Sequence, residues 1–130
     1  MAEFLWPIRV YIEDTDAGGI VYYVNYLKFM ERARTEWLRS LGFDKAGANS
    51  ESYQFVVREA NVRYLSPARL DDELQVRTSL EQVGGASLTL AQEVIRDAQC
   101  LARAAIVVAC VQGASLKPCR LPAKMLEQLA

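Results

Sequence analysis

The sequence predicts an α+β protein in which one long helix packs against an antiparallel sheet. Residues 26–41 repeat apolar residues at three- and four-residue steps, which is the pattern of an amphipathic helix. Five other stretches have strand patterns, one before this helix and four after it, and the last four are joined by tight turns. A length of 130 residues fits one domain, so residues 1–130 are predicted to form a single domain.

The first predicted strand comes before the helix and ends in an acidic loop. Its apolar residues alternate with polar or half-polar neighbours, as in a strand with one buried face: Ile8, Val10 and Ile12. The loop, residues 13–19, contains three carboxylates and ends in two glycines that can take positive φ. The sequence therefore predicts a sharp turn between this strand and the helix.

The ends of the long helix are marked by particular residues. Asn25 is a permissible N-cap, with Tyr22 as the earliest position at which the first turn would begin. Gly42 stands where a left-handed C-terminal cap is expected. The helix is thus predicted to end at about residue 41.

Four strands are predicted after the helix. They cover residues 56–64, 74–80, 88–94 and 101–111. Gly84 and Gly85 predict a hairpin turn between the second and third of these strands. The last strand is almost entirely apolar, which indicates burial on both faces, with Cys110 as a small buried hydrophobe. The polar stretch before them, residues 44–52, is a candidate for a short helical turn.

Charge and hydropathy limit the classes of partner and the location. Fifteen Lys and Arg residues against sixteen Asp and Glu residues give a net charge of −1, which disfavours nucleic acid and anionic membranes as partners. The longest apolar stretch, residues 104–111, is too short to cross a bilayer, so no integral membrane segment is predicted. Because the N-terminus also lacks a signal-peptide pattern, the protein is predicted to be cytoplasmic.

The absence of histidine restricts the chemistry. It excludes Ser-His-Asp and Cys-His catalysis and imidazole metal sites. The three cysteines, at positions 100, 110 and 119, form no C-x-x-C pair, so they predict reduced thiols rather than a zinc site or a disulfide framework. Acid–base chemistry therefore falls to carboxylates, and no metal site is expected.

The acidic loop is the candidate for that chemistry. Asp14 and Asp16 share one side if the strand continues into the loop, and Asp16 is then the carboxylate nearest the turn. The N–H groups at a helix start point at any oxygen that develops negative charge, so a carboxylate and an oxyanion donor meet there. The alternative is that these acids only cap the helix and interact with its dipole.

The loop and the helix also resemble a known family. The matching residues are Glu13-Asp14-Thr15-Asp16-Ala17-Gly18-Gly19-Ile20-Val21-Tyr22, Asn25-Tyr26-Leu27 and Glu31-Arg32-Ala33-Arg34-Thr35-Glu36-Trp37-Leu38. Further matches follow at Val62-Arg63-Tyr64, Ser66-Pro67-Ala68, Asp71-Asp72-Glu73-Leu74, Lys117-Pro118 and Leu121-Pro122. Over nearly the whole chain the sequence resembles the hot-dog-fold acyl-CoA thioesterases, in particular the 4-hydroxybenzoyl-CoA thioesterase and Tol–Pal-associated (YbgC-like) branch.

This resemblance implies an architecture and an assembly. The implied architecture is a single hot-dog domain, a five-stranded antiparallel sheet wrapped around one long helix. It further implies homodimers or homotetramers with the active sites at the dimer interface. The implied activity is hydrolysis of acyl-CoA thioesters to a free acid and coenzyme A. No cofactor is implied, since coenzyme A is part of the substrate.

The resemblance also implies roles for particular residues. Asp16 falls on the catalytic carboxylate of the Asp-x-x-Gly segment, as nucleophile or general base. The backbone N–H of Tyr23 falls on the group that polarises the thioester carbonyl. Many Tol–Pal-associated members have a histidine where this chain has Tyr23, so the acyl group cannot be carried over from them.

Six residues are assigned to substrate binding. Relatives often carry cations on the hairpin turn, but residues 83–86 have none, so other cations are assigned to the coenzyme A phosphates. The six are Gly19, Tyr22 and Tyr26 beside the loop and, for the phosphates, Arg63, Lys117 and Arg120.

Two other functions use the same features. One is hydrolysis of acyl groups on acyl carrier protein, with the acid-free basic tail, residues 98–126, docking the acidic carrier. The other is an acyl-CoA-binding regulator without turnover.

Glu31 and Glu36 occupy the helix on which another hot-dog subgroup carries its catalytic carboxylate, but the shared aspartate motif favours Asp16. The sequence leaves open the acyl chain, the pathway, and dimer versus tetramer.

Overall fold

The computed structural model describes residues 3–43 and 53–129. Their elements are β1 (Phe4–Arg9), a 3-10 turn (Ile12–Asp14), α1 (Asn25–Ser40), β2 (Gln54–Tyr64), β3 (Glu73–Val83), β4 (Ser87–Arg96), β5 (Gln99–Val111) and α2 (Ala123–Leu129). The five strands form one sheet in the order β1-β3-β4-β5-β2, and all neighbours are antiparallel. The predicted α+β class and five-stranded antiparallel sheet are confirmed. The helical turn predicted for residues 44–52 lies outside the described residues.

Helix α1 packs on the sheet through one apolar face. Its buried apolar residues are Tyr26, Phe29, Met30, Ala33 and Trp37. Their three- and four-residue spacing is that of a helix with one face on a core. Charged residues fill the opposite face, so burial of this stripe holds the helix on the sheet.

The helix ends differ in how well they were predicted. The prediction of Asn25 as N-cap is wrong, because Val24 is the cap and Asn25 is the first helical residue. Asn25 instead donates its side-chain N–H to the carbonyl oxygen of Asp14 at 2.8 Å. At the other end Gly42 has φ +88°, as expected for the residue after a helix. The predicted C-terminal cap is confirmed.

Strand β1 is shorter than its alternating pattern suggests. It ends at Arg9, and Ile12 lies in the 3-10 turn with 76% of its surface exposed. The pairing becomes irregular beyond Arg9: the Val10 N–H donates to the Asp72 carbonyl, whereas the Val10 carbonyl accepts the Asp71 N–H, both at 3.0 Å. The expectation that Asp14 and Asp16 share one side of a continued strand is therefore wrong.

The hairpin of β3 and β4 agrees with the sequence, and β5 agrees in part. The turn after Val83 is closed by the Gly84 N–H, which donates to the Ser87 carbonyl at 2.7 Å. Cys110 is fully buried, as predicted. Burial of β5 on both faces is wrong for its first half, because Arg103 and Ala105 are exposed. Helix α2, which buries Met125 in the core, was not predicted.

A polar network ties α1 to the centre of the sheet. Gln92 is fully buried and donates its side-chain N–H to the Met30 carbonyl at 3.0 Å and to Thr78 Oγ1 at 2.9 Å. Arg34 Nη1 donates to Gln92 Oε1 at 2.9 Å, and burial lowers the pKa of this guanidinium. Buried amides are tolerated when their bonds are satisfied, so this network fixes where the helix lies on the sheet.

Strand β2 lies at an edge of the sheet. Within residues 3–43 and 53–129 it pairs with β5 on one side only, and most of its 11 residues are exposed. Its exposed apolar side chains include Val56, Val57 and Tyr64. A long edge strand with apolar side chains is a template for pairing with another strand.

Candidate active site

Asp16 is the first residue of a tight turn, and a hydrogen bond within this turn fixes one of its carboxylate oxygens. Its carbonyl accepts the Gly19 N–H at 3.1 Å, and its Oδ1 accepts the Gly18 N–H at 2.8 Å. Asp at the first position and a left-handed Gly at the fourth are typical of this kind of hairpin turn, and Gly19 has φ +82°. Asp16 is exposed, and its Oδ2 has no hydrogen-bond partner within residues 3–43 and 53–129.

Backbone hydrogen bonds join this turn to the start of α1. The Asp16 N–H donates to the Ile20 carbonyl at 2.9 Å, and the Tyr22 N–H donates to the Asp14 carbonyl at 3.0 Å. Thr15 and Val21 lie opposite each other between these bonds. A short antiparallel ladder therefore brings the chain from the Asp16 turn directly back to the helix start.

Asp14 stabilises the loop from inside rather than facing solvent. Its Oδ2 accepts the Tyr11 N–H at 2.8 Å, which closes the 3-10 turn. Its carbonyl accepts from both the Tyr22 N–H and the Asn25 side chain. With 7% of its surface exposed, Asp14 holds the loop against the first turn of α1.

The helix start presents unsatisfied N–H groups. The N–H groups of Tyr23 and Val24 have no acceptor within the described part of the chain, whereas the next N–H, that of Asn25, donates to the Tyr22 carbonyl at 2.8 Å. Free N–H groups at a helix start carry partial positive charge and can stabilise an oxyanion. The structure thus brings the predicted Tyr23 donor to the end of the ladder that begins at Asp16.

Four tyrosines form a cluster beside this helix start. Ring centroids are 5.1 Å apart for Tyr22 and Tyr23, 5.8 Å for Tyr23 and Tyr64, and 5.6 Å for Tyr26 and Tyr64. Tyr22, Tyr23 and Tyr64 are about half exposed. Tyr64, which lies at the end of β2, was not predicted as a site residue, because sequence spacing does not reveal that β2 ends beside the helix start.

Tyr26 is buried in the core and stabilises the loop through a hydrogen bond to the segment that pairs with it. Its hydroxyl oxygen accepts the Ala68 N–H at 2.9 Å, and burial raises the pKa of this phenol. Ala68 in turn accepts the Val21 N–H through its carbonyl at 2.9 Å. Within one protomer Tyr26 therefore holds the loop in place and has only 3% of its surface exposed, so it does not line an open pocket there.

An ion pair braces the segment that contains Ala68. Arg96 Nη1 lies 2.7 Å from Asp72 Oδ2, which also accepts the Arg69 N–H at 2.8 Å. Partial burial opposes ionisation of Asp72, but the Arg69 N–H and the Arg96 guanidinium outweigh it and lower the pKa of this carboxyl. Arg69 also forms an isolated antiparallel β-bridge with Ile20. The ion pair is therefore connected to the turn that Asp16 begins. Neither Asp72 nor Arg96 was predicted as a site residue.

The three predicted phosphate contacts lie away from the loop of their own protomer. Arg63 pairs with Arg103 in the register of β2 and β5, whereas its neighbour Tyr64 pairs with the buried Ala102. Since paired residues share a face and neighbours alternate, Arg63 lies on the outer face of the sheet, opposite the tyrosine cluster.

Lys117 and Arg120 lie at the far end of the sheet. The Leu65 N–H bonds to Leu101 at the beginning of β5, near the loop, whereas Pro118 bridges to Val111 at the end of β5. Ten residues of strand span roughly 30 Å. Both cations are exposed, and one protomer does not bring them to Asp16.

A cleft opens between α1 and the first half of β2. Its volume is about 160 Å³. The lining is mostly apolar and includes Trp37, Leu38, Phe55, Val57, Leu90 and Val108. Glu31, Arg34 and Thr35 supply its polar side. Asp16 and Tyr23 do not line it, so this cleft and the loop are separate features of one protomer.

Residues 3–43 and 53–129 lack two features. None of the helices there is long and apolar enough to cross a membrane. The same residues contain no group of three or more His, Cys, Asp or Glu side chains arranged to hold a metal ion.

The sequence is similar to known proteins along most of its length. Residues 10–129 match the family model described as the thioesterase-like superfamily. The chain is 43% identical to the acyl-CoA thioester hydrolase YbgC of Escherichia coli O6:H1 over 126 residues, which cover 96% of this chain and 94% of the relative. It is 44% identical to the acyl-CoA thioesterase YbgC of Haemophilus influenzae over 120 residues, 92% of this chain and 88% of the relative.

Solved structures agree with this match. A probable thioesterase from Bartonella henselae superposes with a TM-score of 0.87 at 34% identity, covering 93% of this chain and 100% of the other. A hypothetical protein from Aquifex aeolicus superposes with a TM-score of 0.90 at 31% identity, covering 98% and 99%. The chain therefore belongs to the thioesterase-like superfamily, as a thioesterase with the hot-dog fold.

Proposed function

We propose that this protein hydrolyses acyl-coenzyme A thioesters, with the Asp16 carboxylate and the Tyr23 N–H acting on the thioester carbonyl. The observation that carries the proposal is an N–H at the helix start that has no acceptor among the described residues. A short ladder joins it to the exposed Asp16 carboxylate, one oxygen of which also lacks a partner there. The names of the YbgC relatives support acyl-CoA as the substrate class.

Two routes fit this arrangement. In the first, Asp16 Oδ2 attacks the carbonyl carbon, the C–S bond breaks, coenzyme A leaves as thiolate, and water then hydrolyses the acyl–aspartyl anhydride. In the second, Asp16 takes a proton from an attacking water and that proton passes to the leaving thiolate. A thioester is already activated, so neither route needs a metal or a redox cofactor. Single-turnover hydrolysis in ¹⁸O-labelled water, with enzyme in excess, tests the first route: label in the Asp16 carboxylate shows that water has attacked the aspartyl carbonyl of an anhydride.

Replacing Tyr23 by proline tests the backbone donor, because proline has no N–H. We expect Tyr23→Pro to lower kcat by roughly 10²–10³-fold, the usual loss when one oxyanion donor is removed. Tyr23→Phe keeps the N–H and the ring and is expected to retain kcat within about threefold. Steady-state kinetics with circular dichroism as the folding control measure both. Equal losses in the two variants would assign the effect to the side chain and remove the N–H from the mechanism.

We infer that the complete site forms between two protomers, because one protomer separates Asp16 from the exposed cations Lys117 and Arg120. The uncovered edge of β2 offers a way to bring them together. If two β2 strands pair antiparallel across a two-fold axis, the Tyr64 end of one strand lies against the Gln54 end of the other. That pairing sets the loop of one protomer beside the far end of its partner.

The same pairing of β2 strands provides a binding site for the acyl group. The cleft lies beside the first half of β2, so the partner's cleft would adjoin the tyrosine cluster. The thioester carbonyl would then lie at the Tyr23 N–H, with the acyl group in the partner's cleft and the coenzyme A phosphates near the partner's cations. Homodimers, or tetramers built from them, are thus the proposed active species.

The cleft volume predicts an acyl preference. About 160 Å³ is below the roughly 300 Å³ at which pockets for drug-sized ligands begin. We therefore expect butyryl- and benzoyl-coenzyme A to give higher kcat/KM than palmitoyl-coenzyme A, by at least tenfold. Thiol release across acetyl-, butyryl-, octanoyl-, palmitoyl-, benzoyl- and phenylacetyl-coenzyme A measures this. A preference for palmitoyl would show that the cleft does not hold the acyl group.

The same assay separates the two competing functions. If all coenzyme A thioesters fail and acyl carrier protein thioesters react, with a rate that falls as salt rises, the carrier is the substrate. If none reacts while acyl-coenzyme A binds, the protein is a binding module. The cytoplasmic location stays a prediction from the sequence.

A further inference from the structure

Two of the three cysteines face each other at the end of β5. Cys110 Sγ and Cys119 Sγ are 3.6 Å apart, and the Cys119 N–H donates to the Cys110 carbonyl at 2.9 Å. The neighbouring residues Val111 and Pro118 form an antiparallel bridge. Cys110 and Cys119 are therefore cross-strand neighbours, held in place by the backbone.

The backbone geometry of such neighbours suits a disulfide. Directly opposite residues in an antiparallel pair have Cα atoms about 4.5–5.5 Å apart, which lies within the roughly 4.4–6.8 Å that disulfides span. The two sulfurs are already in contact, so side-chain rotation can close the bond without moving a strand. Both cysteines are reduced in this structure.

We propose that Cys110 and Cys119 form a reversible intrachain disulfide when the protein meets a hydroperoxide such as hydrogen peroxide. Cys119 is half-buried and can meet the oxidant, whereas Cys110 is fully buried. Burial, together with the neighbouring Cys119, raises the pKa of Cys110 to about 12, which disfavours Cys110 as the thiolate that attacks the peroxide.

The reaction balances in two steps. The Cys119 thiolate attacks one peroxide oxygen, the O–O bond breaks, and Cys119 sulfenic acid forms together with one water after protonation. Cys110 Sγ then attacks the sulfenic sulfur, and the departing hydroxide takes the Cys110 thiol proton as a second water. The two sulfurs lose two electrons and hydrogen peroxide gains them.

The bond would tie the segment after β5 to the strand. Lys117 and Arg120 lie on either side of Cys119, so oxidation fixes the segment that carries both cations. It also closes the chain between positions 110 and 119, which restricts the unfolded state and stabilises the fold. Bond formation does not rest on the proposed thioesterase activity, since it is measured without substrate.

Cys100 provides a matched control. It is half-buried like Cys119, but it lies at the opposite end of β5, ten residues from Cys110. Trypsin also separates it from the pair. Trypsin cleaves after Arg103 and Arg120, whereas the Lys117–Pro118 bond is resistant. Cys110 and Cys119 therefore stay together on peptide 104–120, and Cys100 lies on another peptide.

The test treats the full-length protein with one equivalent of hydrogen peroxide, followed by alkylation and mass spectrometry. We expect peptide 104–120 to lose the mass of two hydrogen atoms and to resist alkylation until dithiothreitol is added. Cys100→Ser should behave identically, and the urea midpoint of both oxidised proteins should rise. Cys119→Ser should not lose hydrogen, and Cys110→Ser should accumulate a sulfenic acid at Cys119 that dimedone traps.

Three outcomes would overturn the inference. They are stepwise oxygen addition at Cys119 while Cys110 remains alkylatable, intermolecular bonds through Cys100, and no change in the wild-type peptide under peroxide. Because Cys110→Ser keeps the half-buried thiol, the sulfenic acid readout remains available even if a Cys110 variant is less stable.

Discussion

Replacing Asp16 by asparagine is expected to lower kcat by roughly 10³-fold while leaving the fold intact. The lost charge removes the nucleophile or base, whose contribution is typically 10²–10⁴-fold. Asparagine is matched to the position, because its Oδ1 still accepts the Gly18 N–H that holds Asp16 at 2.8 Å and Asn favours the same turn. Thiol release on the preferred acyl-coenzyme A measures kcat, and urea unfolding measures stability.

The neighbouring acid supplies the control for that experiment. Glu13 is exposed in the same loop, so Glu13→Gln removes one nearby charge without touching the turn. We expect it to keep kcat within about threefold. Asp16→Ala should be as inactive as Asp16→Asn but less stable, because it also frees the Gly18 N–H. Near-normal turnover by Asp16→Asn, or an equal loss in Glu13→Gln, would contradict the role assigned to Asp16.

The elements that sequence reasoning predicted are those with local causes. Helix α1 was predicted to within one residue at its C-terminus because four turns of amphipathic spacing and Gly42 agree. The hairpin of β3 and β4 followed from two alternating stretches around two glycines. Strand β1 was overextended because its end depends on hydrogen bonds to Asp71 and Asp72, some sixty residues away.

Long-range contacts also limit how much of the site could be predicted from the sequence. Asp16 and the helix start are close in sequence, so the motif was sufficient to pair them. Tyr64 and the Asp72–Arg96 brace were missed because their contacts are long-range and no local pattern marks them. Arg63 is a candidate from the sequence because it is a cation on a predicted strand. Neighbouring residues of a strand point to opposite faces, so Arg63 points away from the face that carries Tyr64. This orientation can be assigned only once the structure shows Tyr64 beside Tyr23.

An aspartate on the open edge of β2 is expected to abolish dimers and activity together. Val57 is a half-exposed residue of this edge that also lines the cleft, so the sedimentation measurement, rather than activity alone, tests the pairing. Pairing two β2 strands would bury one introduced carboxylate from each protomer, and an unpaired buried charge costs about 3 kcal/mol or more. Two of them would raise the dimer Kd by roughly 10⁴-fold. Sedimentation velocity and thiol release, measured at the same protein concentration, test Val57→Asp.

Val83 is the matched control, because it is similarly exposed but lies at the hairpin end of β3 instead of on β2. Val83→Asp should remain dimeric and active, and a fully active Val57→Asp monomer would refute the shared site. Mixing two defective proteins then tests the sharing directly. If Asp16 of one protomer works with Lys117 and Arg120 of its partner, an Asp16→Asn protein mixed with a Lys117→Ala/Arg120→Ala protein regains one intact site per heterodimer. Activity at low substrate should therefore rise on mixing, whereas a site built within one protomer gains nothing.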